Sequence, residues 1–460
     1  MKQLPLCSFA PLRLCGSTFL LLLFLLSSCQ KFLDVKSDKQ LAVPSTLADA
    51  QAVLDNYGLF NTNYSALAAT ADDDYYLSAT YFNTLNEEGR SNHTWGAEPE
   101  NLSHWRNLYS MVFSANLVLE ALRKIEAPVA GRAEWENIKG QALFHRAMAF
   151  YSVASLWAAP YRAASPGTSP GIPLRLSTDA NVRSVRASLP ATYGQITADL
   201  EEAAALLPAA VPVLSRPSKA AAYAALARVY LAIEAYPEAG RSADSSLRLY
   251  STLIDYNTLN AAAAAPFTRF NKEVIFQSQY LGNGILSLGN ALIDSTLYRS
   301  YAANDLRRTL FFAANGTGTV GFKGDYSGST SASRFNGLAV DEMYLVRAEA
   351  AARAGLTTPA LADLNTLLVK RWKTGTFVPY SAASADDALQ KVLTERRKEL
   401  LFRGTRWTDL RRLGSDTRFA VTLVRRLDNT VYELPPGSNR YVFLLPQTVI
   451  DLSGMAQNPR

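Results

Sequence analysis

The stretch SKAAAYAALARVYLAIEAYPEAGRSADSSLRLY, residues 218–250, constrains the fold more than any other part of the chain. Ala222, Ala225, Leu226, Val229, Tyr230 and Ile233 recur at alternating spacings of three and one, which lines one face of an α-helix. Pro237 then opens a second helix with Ala239, Ala243 and Leu247 facing inward. Proline fits a first helical turn because the N–H it lacks has no intrahelical partner there. Small residues where two helices meet let their backbones approach closely. A helix–turn–helix of about 34 residues is the tetratricopeptide period, and one such pair cannot bury its apolar face without a neighbour. A second pair is VDEMYLVRAEAAARAGLTTPALADLNTLLVKRW (340–372). There Met343, Arg347, Ala350, Ala351 and Ala354 line one face, Gly355 stops the helix, and Leu361, Leu364 and Leu368 continue on its partner. Stacked hairpins of this kind form contact surfaces and do not usually supply catalytic residues.

The same period runs through HWRNLYSMVFSANLVLEALRKI (104–125), IKGQALFHRAMAFYSVASLWAAPY (138–161) and a proline-bounded segment over 190–207. Leu143, Ala147, Phe150, Ala154 and Trp157 make one apolar stripe, which Pro160 and the loop SPGTSPGIP (165–173) terminate. Between 255 and 339 the character changes. KEVIFQSQY (272–280) reads as a strand, and the remainder is rich in Gly, Ser, Thr, Asn and Tyr without helical period. A long irregular insertion on a helical scaffold is where ligand contacts usually sit. The expected fold is therefore mainly α: tetratricopeptide-like helix pairs in an N-terminal part (47–254) and a C-terminal part (340–460), with a loop-rich ligand region (255–339) between them.

The first 28 residues read as a secretory signal. Lys2 and Arg13 supply the basic start, and Phe19–Leu26 is an unbroken apolar run of eight, too short for the roughly 20 residues of a membrane-spanning helix. The junction Leu26-Ser27-Ser28-Cys29 looks like a bacterial lipobox, in which the cysteine is acylated and cleavage occurs just before it. Cys29 is thus the expected lipid attachment point, and residues 29–46 a tether. The other cysteines, Cys7 and Cys15, lie inside the signal. A mature chain starting at Cys29 has no free thiol, which suits an oxidising compartment and excludes a cysteine nucleophile or cysteine-based metal site.

Little else points to catalysis. Net charge is +6, with 46 basic and 40 acidic residues interspersed, and no basic stripe suggests nucleic acid. GTGTVG (316–321) has the letters of a dinucleotide fingerprint, but FKGDYSGSTS follows it where a helix is required, so it reads as a turn. Asp72-Asp73-Asp74 lacks the alternating spacing of a calcium loop and reads as a capping or solvated loop. The three histidines, His93, His104 and His145, have no zinc-binding spacing. No nucleophile elbow or phosphate-binding loop occurs. The remaining assets are aromatic: Trp95 in the polar stretch SNHTWGAEPENLSHW, Tyr75 and Tyr76 beside the aspartates, and Tyr298 and Tyr301 flanking Arg299. Exposed rings with neighbouring Arg or Asn suit sugar rings or peptide side chains. These six residues are the candidate ligand contacts; no catalytic residue, metal or cofactor is expected.

Taken together, the motifs resemble the SusD/RagB family of nutrient-binding outer-membrane lipoproteins of the Bacteroidota. Cys29-Gln-Lys-Phe-Leu-Asp-Val resembles the family's lipidated start. The likeness continues through Trp105, Leu108, Tyr109 and Asn116, then LFHRAMAFYSVASLWAAPY (143–161) and ITADLEEAAALLP (196–208). DEMYLVRAEAAARAG (341–355), ERRKELLFRGTRWTDLRRLG (395–414) and LLPQTVIDLSGMAQNP (444–459) match its C-terminal pattern in order. Two departures stand out. Arg403 occupies a position where the family usually has Glu, and 281–335, where relatives place much of the ligand site, holds no Trp. Glu395, Arg396, Glu399, Arg406 and Asp409 are expected to pin the last helices together.

The resemblance implies four tetratricopeptide-like helix pairs and a lipoprotein on the extracellular side of the outer membrane. It implies a partnership with a SusC-like TonB-dependent β-barrel, over which the protein acts as a lid that captures an oligosaccharide without catalysing anything. A peptide is the alternative ligand, and a lipid-anchored hydrolase or a purely structural adaptor the alternative roles. By the same resemblance Trp95 is a stacking aromatic.

Overall fold

The computed structural model describes residues 43–97, 101–125, 131–164, 167–316 and 318–460. Cys29, the signal segment 1–28 and most of the tether 29–46 lie outside the described residues. Ten helices carry the scaffold: α1 (Leu47–Leu54), α2 (Leu102–Lys124), α3 (Arg132–Trp157), α4 (Leu189–Leu206), α5 (Lys219–Ala232), α6 (Tyr236–Leu249), α7 (Val340–Arg353), α8 (Thr357–Leu368), α9 (Ala385–Glu399) and α10 (Thr405–Leu413). From α2 to α8 each helix packs on the next in chain order, and α9 packs back on α7. The fold is mainly α and tetratricopeptide-like, and the strands among the described residues are short and form two-stranded sheets. No helix among those residues is long and apolar enough to cross a membrane.

Local chemistry explains the element ends. Ser218 caps α5 by accepting from Ala221 N, Ser188 caps α4 from Ala191 N, and Ser384 caps α9 from Asp387 N; each satisfies an N–H with no helical partner. The sequence suggests one apolar face on α5, but the structure buries nearly all of it, including Ala220–Ala222 and Ala224–Val229. The reason is that α4, α6, α7 and the strand Val274–Phe276 all pack around it. The chain leaves α6 for ninety residues and then returns to lay α7 against it. That contact is so close that a Cβ on Gly240 would lie 2.8 Å from the Ala350 Cβ. Ala354, expected on the inner face of α7, lies just past its end and is exposed.

Helix α7 also buries three carboxylates, each met by an arginine from elsewhere: Asp341 by Arg403 (2.8 Å), Glu342 by Arg228 (2.6 Å) and Glu349 by Arg412 (2.5 Å). Arg403, the departure from the family pattern, is therefore a paired core residue. Arg396 pairs with Asp409 at 2.9 Å, joining α9 to α10.

The irregular stretch between α6 and α7 has a core of its own. Tyr256, Phe267, Phe311 and Tyr326 pack ring on ring. Phe312–Ala314 and Val320–Phe322 pair antiparallel, with Gly316 and Gly318 at φ 83° and 79° in the turn. Gly316 and Gly318 of GTGTVG thus lie in a hairpin turn, and Val320 and Gly321 in its second strand.

Two histidines belong to the core. His145 on α3 sits 4.4 Å from the Phe60 ring and against Phe144 and Phe276. Burial pushes its imidazole down to about 3 from an ordinary 6.5. The unfolded chain takes up a proton below about 6.5 while the folded chain does not, so stability falls as pH drops from 6.5 towards 3. The expected cost is about 1.4 kcal/mol per pH unit for this one proton. Urea midpoints at pH 6.5 and 4.5 check it: His145→Leu should show a shallower decline than the parent chain. Equal slopes would mean that His145 is not held neutral.

Candidate functional site

Tyr75 and Tyr76 form a two-residue strand antiparallel to Leu292–Ile293. Alternate side chains of a strand face opposite ways, and here Tyr75 points inward and Tyr76 outward, 42% exposed. The Tyr75 hydroxyl donates to Thr70 O at 2.7 Å. The pairing brings the segment around residue 76 beside the one that continues into the short helix Ser295–Arg299, so two of the segments singled out from sequence are neighbours. Arg299 is exposed and bonds Ser295 Oγ at 3.2 Å. Tyr298 is half-buried against Phe312, with the Arg308 guanidinium 5.2 Å from its ring.

Three of the aromatic candidates need correction. Trp95 does not sit exposed in a polar loop: it is 4% exposed and donates its indole N–H to Ala71 O at 2.9 Å. It ends the short helix Glu87–Thr94 in a left-handed conformation, φ 56°, which turns the ring into the core. There the Arg425 guanidinium lies 4.9 Å from the indole and also donates to His93 Nε2 at 2.9 Å. Tyr75 shares this buried cluster, with Arg425 5.4 Å from its ring. Tyr301 is fully buried and donates to Lys398 O at 2.8 Å. None of these three rings offers an open face to a ligand.

The aspartate triplet is not a solvated loop either. Asp73 binds Arg406 at 2.6 Å and Arg397 at 3.2 Å, and Asp74 binds Arg397 at 3.0 Å. Asp72 and Asp74 are buried. Burial opposes ionisation of Asp73, but Arg406 and Arg397 outweigh it and hold its carboxyl below the usual carboxylate range. Arg406, expected to tie the last helices to each other, instead ties them to the N-terminal part.

A hollow of about 270 Å³ that no sequence signal marked opens beside the helix that follows the Tyr75–Tyr76 strand. Tyr81, Asn86, Asn92, His104, Asn283 and Ile285 line it. Tyr81 follows the Tyr75–Tyr76 strand on the short helix Ala79–Thr84, capped by Ser78. Asn283 comes from more than 200 residues later and turns the chain by accepting from Ile285 N at 3.0 Å. Asn92 and Asn101 hold each other in a reciprocal amide pair at 2.8 and 3.0 Å. A half-buried aromatic ring among amides matches the donor and acceptor pattern of a polyhydroxylated ring. The nearest signal in sequence was the Tyr/Asn composition of YFNTLNEE, which by itself does not distinguish a site from a loop.

Among the described residues one carboxylate cluster is tight enough to hold a metal: Glu273, Asp341 and Glu399. Arg371 lies between Glu273 and Glu399, at 2.9 and 2.6 Å, and Arg403 faces Asp341. Guanidinium groups already meet these charges, so the cluster is a structural ion network.

Comparison with known proteins agrees with this architecture. A family model described as "Starch-binding associating with outer membrane" matches residues 31–231, and one described as "SusD family" matches 338–443. No curated protein matches. Among solved structures, a SusD superfamily protein from Bacteroides thetaiotaomicron VPI-5482 has a TM-score of 0.75 at 20% identity, covering 90% of this chain and 100% of its own. One from Bacteroides vulgatus ATCC 8482 has a TM-score of 0.74 at 22% identity, covering 90% and 99%. A laminarin-binding SusD-like protein has a TM-score of 0.64 at 17% identity, covering 90% and 98%. With both family models matching in the expected order on a shared fold, the chain belongs to the SusD/RagB family.

Proposed function

We propose that the protein is a glycan-binding lipoprotein of the outer-membrane surface, anchored through Cys29, that serves as the lid of a SusC-like TonB-dependent importer. The observation that carries the ligand class is the hollow at Tyr81. One aromatic ring can stack on the C–H face of a sugar while Asn86 and Asn283 exchange hydrogen bonds with its hydroxyls. In this reading exposed Tyr76 and Arg299, with half-buried Tyr298, serve as further contacts outside the hollow. Family membership and the laminarin-binding neighbour support this reading. Binding and release are the whole activity, and the reading assigns no residue a catalytic role.

One preparation tests both halves. Tagged protein extracted from its own membrane in mild detergent should bring a large β-barrel with it. The same material should bind a member of a glycan panel that includes laminarin and starch. Tyr81→Ala should weaken that binding roughly tenfold without changing the melting temperature. A chain that comes down alone, or one that binds peptides and ignores every glycan, would overturn the corresponding half.

A further inference from the structure

A second hollow, of about 460 Å³, shares no lining residue with the one at Tyr81. Its long wall is α2, where Trp105, Tyr109 and Phe113 recur at intervals of four and so form one aromatic stripe. The opposite walls are the loop after Pro173 and the C-terminal helix Gln447–Ser453, whose Leu452 is 85% exposed at the rim. The walls are held in place from behind. The Tyr109 hydroxyl donates to Pro173 O at 2.8 Å, and Asn116 Nδ2 donates to Arg175 O at 2.8 Å.

Charge makes this hollow unlike an ordinary apolar crevice. Arg175 and Arg183 line it and no carboxylate does. Among the described residues neither arginine forms an ion pair. Arg183 spends Nε and Nη2 on Ser453 O, at 3.3 and 3.0 Å, while Arg175 bonds the carbonyls of Val182 and Asp179 and, at 3.4 Å, the Ser184 hydroxyl. Arg334 and Arg411 likewise join segments through carbonyl oxygens alone, but neither lines this hollow; Arg175 and Arg183 do. An aromatic slot with two uncompensated guanidinium groups at its edge is complementary to a ligand with a flat apolar body and one anionic group. The guanidinium plane also matches a carboxylate or sulfonate edge-on. The volume lies within the range of about 300–1,000 Å³ typical of small-molecule sites.

We propose that this hollow is a second binding site, independent of the glycan reading, for a small amphipathic organic anion such as an aromatic or medium-chain carboxylic acid. The apolar body packs on Phe113 and Tyr109, and the anion faces Arg183.

Titrating the full mature chain with 1-anilinonaphthalene-8-sulfonate, an apolar ring system bearing one sulfonate, tests the proposal. The expected result is one saturable fluorescent site per chain. Arg183→Ala and Phe113→Asp should each weaken it at least tenfold, and Tyr81→Ala should leave it unchanged. Octanoate should displace the probe, and 1-octanol at the same concentration should not. Val182→Asp, at a rim position 52% exposed, supplies an independent variant should Phe113→Asp melt early. Probe binding that never saturates, that ignores the Arg183 and rim substitutions, or that octanol displaces as well as octanoate does, overturns the proposal.

Discussion

Glu399→Ala is expected to destabilise the protein by about 3–5 kcal/mol, the usual cost of leaving buried charges unpaired. Glu399 accepts from Arg371 through one oxygen (2.6 Å) and from Arg307 through the other (2.9 Å), and all three side chains are fully buried. Arg307 keeps Asp305 and Glu395, and Arg371 keeps Glu273, but each guanidinium loses the partner they share. The loss should appear as a lower denaturant midpoint with an unchanged slope. Pairing the change with Arg371→Met should recover part of it, because the second substitution removes a charge that the first has stranded. If the two losses simply add, the residues are not coupled and the network account is wrong.

Trp95→Ala should cost a similar ~3–5 kcal/mol, as is usual for a buried Trp reduced to Ala. It removes the packing around the Arg425 guanidinium and leaves Ala71 O without its 2.9 Å donor. Glycan affinity per folded molecule should hardly change. The opposite pattern, an intact melting curve with affinity lost, would restore Trp95 as an exposed stacking residue and would contradict its burial. Comparing this variant with Tyr81→Ala separates a residue that holds the site's surroundings from one proposed to touch the ligand.

Sequence made the helices legible because their information is local. The three-and-one spacing in α5 and the Gly355 stop after α7 need only neighbouring residues to be understood. What escaped was non-local. Asp72-Asp73-Asp74 looked solvated because its partners, Arg397 and Arg406, are more than 320 residues away. Trp95 looked exposed because it stands at the end of a polar helix, and its left-handed backbone, which turns the ring inward, leaves no mark in the sequence. Tyr75 and Tyr76 are adjacent in sequence, but strand alternation sends their side chains to opposite sides. The Tyr81 hollow escaped for a related reason: Asn283 reaches it only because Leu292–Ile293 pairs with the strand ahead of Tyr81.

The tie between the aspartate triplet and the arginines of α9 and α10 also sets a schedule for assembly. A chain synthesised from its N-terminus presents Asp73 and Asp74 early and their cationic partners, Arg397 and Arg406, only near the end. Until then the triplet favours hydration over burial, and the Tyr75–Trp95 cluster beside it has no reason to close. Long-range contacts form late because the intervening chain must first be ordered. The segment from Tyr75 to Trp95 therefore completes its burial only when the last helices arrive, so a chain cut short before α9 should leave that segment accessible to proteases while the earlier helix pairs are already packed.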